Sequence, residues 1–171
     1  MSRAFIAFGS NIDAERNVER AVRLLAARSK LQALSTFYRT APIGGANGAA
    51  FVNGMAEIVT DLPPMELKQR VLRTIERELG RVRVADKNAP RTIDLDLVSY
   101  DDVVVASPEL ALPDPEIAER PFLAAPLFEL APDLRLAGSG VPVRELAARL
   151  GRSGLEALPA LTAELRRIAH E

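Results

Sequence analysis

Residues Gly80 to Tyr100 read GRVRVADKNAPRTIDLDLVSY. Gly80 closes an apolar helical pattern, a polar loop follows, Pro90–Arg91 make a turn, and an alternating strand begins at residue 93. Successive strand side chains point to opposite faces, so Ile93, Leu95 and Leu97 face a core while Asp94 and Asp96 project together on the other side. Adjacent carboxylates repel, and a cation between them relieves the repulsion. Oxygen-only ligands on a rigid strand suit Mg²⁺, which takes one or two carboxylates and fills its other positions with water and substrate phosphate. Taken alone, a D-x-D pair on a strand is more often a solvated face. Four basic residues in the segment just before it (Arg81, Arg83, Lys87 and Arg91) shift the reading toward a site, because guanidinium groups bind phosphate bidentately. Carboxylates, a hard metal and arginines together describe phosphoryl transfer.

The composition narrows what such a site can be. The 171 residues suffice for one domain with a core, and 48% of them are apolar. A net charge of −1 argues against general electrostatic binding of nucleic acid or an acidic membrane. The chain has no cysteine, which removes disulfides, thiolate zinc sites and cysteine nucleophiles. The one histidine, His170, lies next to the C-terminus, so histidine triads and clusters are out. No stretch has the length of a membrane span or the pattern of a leader, and the expected location is the cytoplasm.

Toward the N-terminus, residues 3–8 (RAFIAF) read as a buried strand stopped by Gly9-Ser10-Asn11. Asp13 is the expected N-cap of a helix whose apolar face carries Val18, Ala21, Val22 and Leu25. Residues 31–39 read as one strand and 51–60 as another, joined by the Gly-rich loop 40–50, long enough to act as a lid. Asn53 stands in that second strand where an apolar residue would be easier to bury. Pro63 and Pro64 start a helix with Leu67, Val71, Leu72, Ile75 and Leu79 on one face and Glu76 off it. Beyond residue 100 we expect a small hairpin (103–105 with 109–112), a rigid Pro113-Asp114-Pro115 loop, a helix over 122–131 broken by Pro126, and a tail over 141–171 with helical patterns at 143–150 and 161–169. The tail reads as packing, without chemistry.

The order β-α-β-loop-β-α-β predicts one α+β domain over 1–171: a ferredoxin-like sandwich with a mainly antiparallel sheet flanked by helices. Neither G-x-x-x-x-G-K-[ST] nor G-x-G-x-x-G occurs, so a nucleotide here must be held by arginines, metal and loops.

The motifs FGSN at 8–11, FYRTAP at 37–42, FVN at 51–53, ERELGRVR at 76–83, APRTIDLDLVSY at 89–100 and LPDPEIAERPFLAAPLFELAP at 112–132 resemble the 6-hydroxymethyl-7,8-dihydropterin pyrophosphokinase family. The resemblance is strongest over 3–134, and PRTIDLD preceded at this spacing by GRVR is its most specific part. It implies an ATP-dependent transferase of folate biosynthesis that moves a diphosphate from ATP to the pterin alcohol and releases AMP. Asp94 and Asp96 match the ligands of two Mg²⁺ ions. Arg81 and Arg91 match arginines that steady the phosphates, and Arg83 and Arg120 match further contacts to the nucleotide. Phe51 and Phe122 match the aromatics that sandwich the pterin. The residues alone would favour ordinary core for both. Asn53 matches the amide that reads the pterin edge, with Thr40, Ala41 and Ile43 completing that edge. Glu76 and Leu97 match positions near the nucleotide, Leu97 on the adenine side. ATP and the pterin are the implied partners, with neighbouring folate-pathway enzymes as candidates for association; nucleic acid and membrane are not.

The chain departs from the family pattern at Val84, where lysine is common, and at Asn88, where tryptophan is common. The largest change is Asp114, which stands where the family has a histidine that contacts the nucleotide phosphates. Two rival readings follow: a relative that binds pterin or nucleotide without transfer, and a phosphotransferase for a related acceptor.

Overall fold

The computed structural model describes residues 1–42 and 48–171. Its elements run β1 (Ser2–Ser10), α1 (Ala14–Arg28), β2 (Lys30–Leu34), β3 (Tyr38–Thr40) and β4 (Phe51–Thr60). A helix over 64–78 follows, made of α2 (Pro64–Glu66), a π-helical segment (Leu67–Leu72) and α3 (Arg73–Glu78). Then come β5 (Asp94–Tyr100), β6 (Val105–Ala106), β7 (Ala111–Leu112), a 3₁₀ turn (Pro115–Ala118), α4 (Pro121–Leu130), α5 (Val143–Leu150), β8 (Glu156–Ala157) and α6 (Pro159–Ala169).

The main sheet has the order β5-β1-β4-β3-β8, with β2 also on β4, and its pairings are antiparallel. This is the ferredoxin-like arrangement the element order predicts. β1 sits centrally with both faces covered, which is why it reads as nearly continuous apolar sequence. Ala4, Ile6 and Phe8 join the core formed by α1, the 64–78 helix and α6. Phe5 and Ala7 join a second core with α4 and α5, built from Met55, Val98, Leu123, Leu127, Val143 and Leu146. Full burial of each large apolar side chain contributes roughly 1.5–3 kcal/mol. The two cores hold both faces of the sheet and leave the site at one end of β1, β4 and β5.

Several local expectations are corrected. The single strand over 31–39 is two, because the chain leaves the ladder at 35–37: Ser35 Oγ accepts the Met55 N–H, and the Phe37 ring passes beneath Gly54. The hairpin after residue 100 is smaller, Val105–Ala106 with Ala111–Leu112. Pro126 lies inside an unbroken α4, its ring buried. Asp13 takes the N-cap position but makes no side-chain cap, since it adopts a left-handed conformation (φ 45°); Asn17 Nδ2 instead donates to the Ile12 carbonyl at 2.6 Å. Gly80 closes the helix at φ 81° as expected. The tail contributes a strand as well as helices: β8 extends the sheet at β3.

Gly54 is fixed by contact. A Cβ there would lie 2.4 Å from the Phe37 ring, which packs edge-on to Phe8 with centroids 5.7 Å apart. We expect Gly54→Ala to cost about 1–3 kcal/mol through overpacking. A thermal melt checks this, and an unchanged midpoint would show that the ring can move aside.

Candidate active site

The site forms where the turn after β1 meets the turn before β5. Asn11 Oδ1 accepts the Arg91 N–H at 2.7 Å, the Asn11 N–H donates to the Arg91 carbonyl at 3.1 Å, and Ser10 Oγ donates to the Thr92 carbonyl at 2.6 Å. The GSN turn therefore buckles the PRT turn in place and fixes where β5 begins. Arg91 also donates to the carbonyls of Lys87 and Ala89, bracing its own loop.

Asp94 and Asp96 leave β5 on the face away from the Ile93–Leu95–Leu97 core. The arginines rest on carboxylates. Arg81 Nη1 lies 3.1 Å and Arg91 Nη1 3.2 Å from Asp94, one on each oxygen. Beneath them Glu76, 1% exposed, accepts from Arg73 at 2.9 Å, Arg83 at 2.8 Å and the Leu95 N–H at 2.9 Å, with Arg81 3.7 Å away. Glu76 is off the apolar stripe yet buried, because it faces β5 and joins that strand to three arginines. Both of its oxygens are engaged, so the expectation of Glu76 as a nucleotide contact is replaced by that of a support for the arginines.

Three hollows meet at Asp96. The first, about 340 Å³, is lined by Thr40, Ala41, Phe51, Asn53 and Phe122, together with Arg91, Asp94, Asp114 and Arg120. The second runs along the loop from Arg81 and Arg83 to Arg91. The third holds Lys68, Arg73, Leu97, Glu109 and Asp114. Phe51 and Phe122 are thus half-buried walls of a cleft and not closed core. The Arg91 guanidinium stands 5.8 Å from the centre of the Phe51 ring, and Asn53 accepts from Thr40 Oγ1 at 2.6 Å while donating to the Phe8 carbonyl. Arg120 Nε is buried without a hydrogen-bond partner among the described residues. Ile43 lies outside the described residues.

Two cations escaped the sequence reading. Arg73 reaches Glu76, the Leu95 carbonyl at 3.1 Å and Asp96 at 3.7 Å; its spacing three residues before Glu76 on a helix is the signal that could have found it. Lys68, on the π-helical segment, donates to the Glu109 carbonyl beside it. Asp114 lines both the aromatic cleft and the hollow beside Leu97. Its Oδ1 caps the 3₁₀ turn by accepting the Glu116 N–H at 2.9 Å, and burial raises its pKa above the usual carboxylate value.

Asp96 lies at the cleft floor, surrounded by protein although water reaches 45% of its side chain. Burial first and the charge of Asp94 second push its pKa from 3.8 to about 7, against the pull of Arg73. A hard carboxylate that resists ionising without a cation, with a second one beside it, matches the needs of Mg²⁺. Among the described residues no group of three or more histidine, cysteine or acidic side chains offers a closed metal cage. A pH dependence follows. Between 3.8 and about 7 the folded protein keeps a proton that the unfolded chain has lost. Metal-free stability from this group is therefore highest at acid pH and falls as pH rises through that window. We expect the Asp96→Asn variant to melt higher than the parent in EDTA at about pH 8, with a smaller gap near pH 5. A gap that is the same at both pH values would contradict the strained carboxylate.

A family model of 7,8-dihydro-6-hydroxymethylpterin-pyrophosphokinase (HPPK) matches residues 5–132. The chain belongs to this family. It is 40% identical over 159 residues to the 2-amino-4-hydroxy-6-hydroxymethyldihydropteridine pyrophosphokinase of Methylorubrum extorquens, covering 91% of this chain and 98% of that one. The protein of the same name from Pseudomonas aeruginosa is 37% identical over 162 residues, covering 93% and 98%. Among solved structures, wild-type Plasmodium falciparum HPPK-DHPS superposes with a TM-score of 0.68 at 13% identity, over 86% of this chain and 44% of that one; this likeness concerns the fold. No helix among the described residues is long and apolar enough to cross a membrane.

Proposed function

We propose that the three hollows meeting at Asp96 are the acceptor, phosphate and nucleoside parts of one transfer site. The chain is an ATP-dependent pyrophosphokinase of the HPPK family, transferring diphosphate from ATP to 6-hydroxymethyl-7,8-dihydropterin in folate biosynthesis. The observation that carries the residue assignments is the meeting of an aromatic-walled cleft with a basic loop at a pair of carboxylates.

On this reading the pterin ring lies between Phe51 and Phe122. Stacking holds its faces, while Asn53, Thr40 and the backbone of the 40–50 loop, including Ala41 and Ile43, read its polar edge. Leu97, Arg73 and Lys68 border the adenosine half. Mg²⁺ held by Asp94 and Asp96, two ions on this reading, would neutralise phosphate charge and hold the transferring group in line. Arg81 and Arg91 now rest on Asp94. Phosphate oxygens offer each guanidinium the same geometry, so the arginines exchange one anion for another without leaving the site. Arg83 contributes from the same loop and Arg120 from the far wall of the cleft. The hydroxymethyl oxygen attacks the β-phosphorus, the bond from that phosphorus to the α–β bridging oxygen breaks, AMP leaves, and the alcohol proton passes to solvent. Positioning and charge neutralisation supply most of the rate. Asp114 acts through its cap on the 3₁₀ turn leading to Arg120 and Phe122. The cap ties one carboxylate oxygen to the backbone, while the residue still lines the cleft and the hollow beside Leu97. The setting on this reading is the cytoplasm.

AMP release from Mg-ATP, measured with and without the pterin, tests this reading. Pterin-dependent AMP supports it. Pterin binding without AMP would favour the non-transferring relative, and AMP with another pterin alcohol alone would favour a changed acceptor.

A further inference from the structure

The sequence gives the C-terminal segment no chemistry, yet residues 152–166 brace one wall of the cleft from outside. Residues 34–39 have β4 on one side and residues 152–166 on the other. The Phe37 N–H donates to Thr162 Oγ1 at 2.9 Å, and the Phe37 carbonyl accepts the Leu158 N–H at 2.9 Å. β8 pairs with β3, Ala157 opposite Tyr38 and Glu156 opposite Arg39. Arg166 Nε donates to the Leu34 carbonyl at 3.2 Å. Arg152 closes this clamp: its guanidinium stands 5.3 Å from the centre of the buried Tyr38 ring and donates to Tyr38 Oη.

On the inner side the same short strand is in register with the acceptor wall. Tyr38 lies opposite Asn53 and Thr40 opposite Phe51. Thr40 Oγ1 orients Asn53 by donating to it at 2.6 Å. The cleft and the hollows along the basic loop and beside Leu97 include no residue beyond 123. Residues 152–166 therefore bear on the acceptor wall through β3, and among the described residues no hydrogen bond or ion pair joins them to the carboxylates or to the arginines of the phosphate loop.

We propose that Arg152 is a positioning residue for the acceptor: through Tyr38 and β3 it sets the placement of Thr40, Asn53 and Phe51 against the pterin. The inference rests on the acceptor assignment above. A strand with three ladder residues has little register strength of its own. A cation over the ring, with a charge-assisted bond to the phenol, supplies the missing restraint. A tail that merely packed would lower stability and disturb both substrates alike.

The test varies the two substrates separately and adds pterin binding by fluorescence and a thermal melt. For Arg152→Leu we expect the pterin KM and Kd to rise about tenfold and the Mg-ATP KM to stay within about twofold. Arg152→Lys keeps a donor and a cation at the ring, so it should recover most of the pterin affinity. Tyr38→Phe should weaken pterin binding less than Arg152→Leu, and the double variant should be no weaker than Arg152→Leu alone, because both changes remove one interaction. Tyr38→Phe keeps the ring and carries the test if Arg152→Leu does not fold. An unchanged pterin KM, or equal rises for both substrates, overturns the proposal. Failure of the parent protein to bind the pterin is a different result: it removes the acceptor assignment and this inference with it.

Discussion

Asp96→Ala should lower pterin-dependent AMP formation by at least about 10³-fold, the scale on which a phosphoryl-transfer site loses rate when one electrostatic element is removed. The expectation follows from position: Asp96 lines all three hollows that border the β5 carboxylates, and Asp94 is the only other acid beside it on that strand. In the metal-free protein burial and the charge of Asp94 push its pKa up to about 7. Single-turnover AMP release with the variant, at saturating Mg-ATP and pterin, reads the effect. Activity within a few-fold of the parent would sink the assignment of the pair as metal ligands.

Glu76→Ala should destabilise the protein by about 3–5 kcal/mol, the range for breaking a buried, hydrogen-bonded charge network from one side. The variant leaves the Leu95 N–H without its acceptor and deprives Arg73 and Arg83 of their partner. Arg81, 9% exposed, keeps only Asp94 and the Ile93 carbonyl. Glu76→Gln retains an oxygen for the Leu95 N–H and loses the charge, so it separates the two contributions. We expect it to recover part of the stability while the Mg-ATP KM stays raised, since three arginines no longer share a fixed anion. Urea denaturation and ATP-dependent kinetics on the two variants check this. A Glu76→Ala midpoint equal to the parent's would show that the arginines find other partners at no loss.

The first strand, the amphipathic helix from Ala14, the strand carrying the carboxylates and the closing Gly80 could be read from the sequence, because each rests on a local rule: period two, period 3.6, or a positive φ. The break between β2 and β3 could not be read that way. It depends on Phe37 crossing beneath Gly54, two residues seventeen apart in sequence. The two-way bonding between Asn11 and Arg91 spans eighty residues and gave no local sign beyond a turn. The π-helical segment was hidden for a related reason. Its apolar residues satisfy ordinary helical spacing, and the wider turn shows only once the helix lies on the sheet.

The sequence by itself determined the chemistry available here: carboxylates on one strand face, arginines on the loop before it, aromatics at 51 and 122, and no cysteine or internal histidine to offer another route. Only the tertiary structure decided which of these groups touch. It turned Glu76 inward beneath three arginines, made Asp114 a cap, brought Arg73 to Asp96 and set the tail against β3. Residue type and short-range period fix what a side chain can do and which way it leaves its own element. The partner it meets depends on how elements distant in sequence pack and pair, and the packed sheet specifies that.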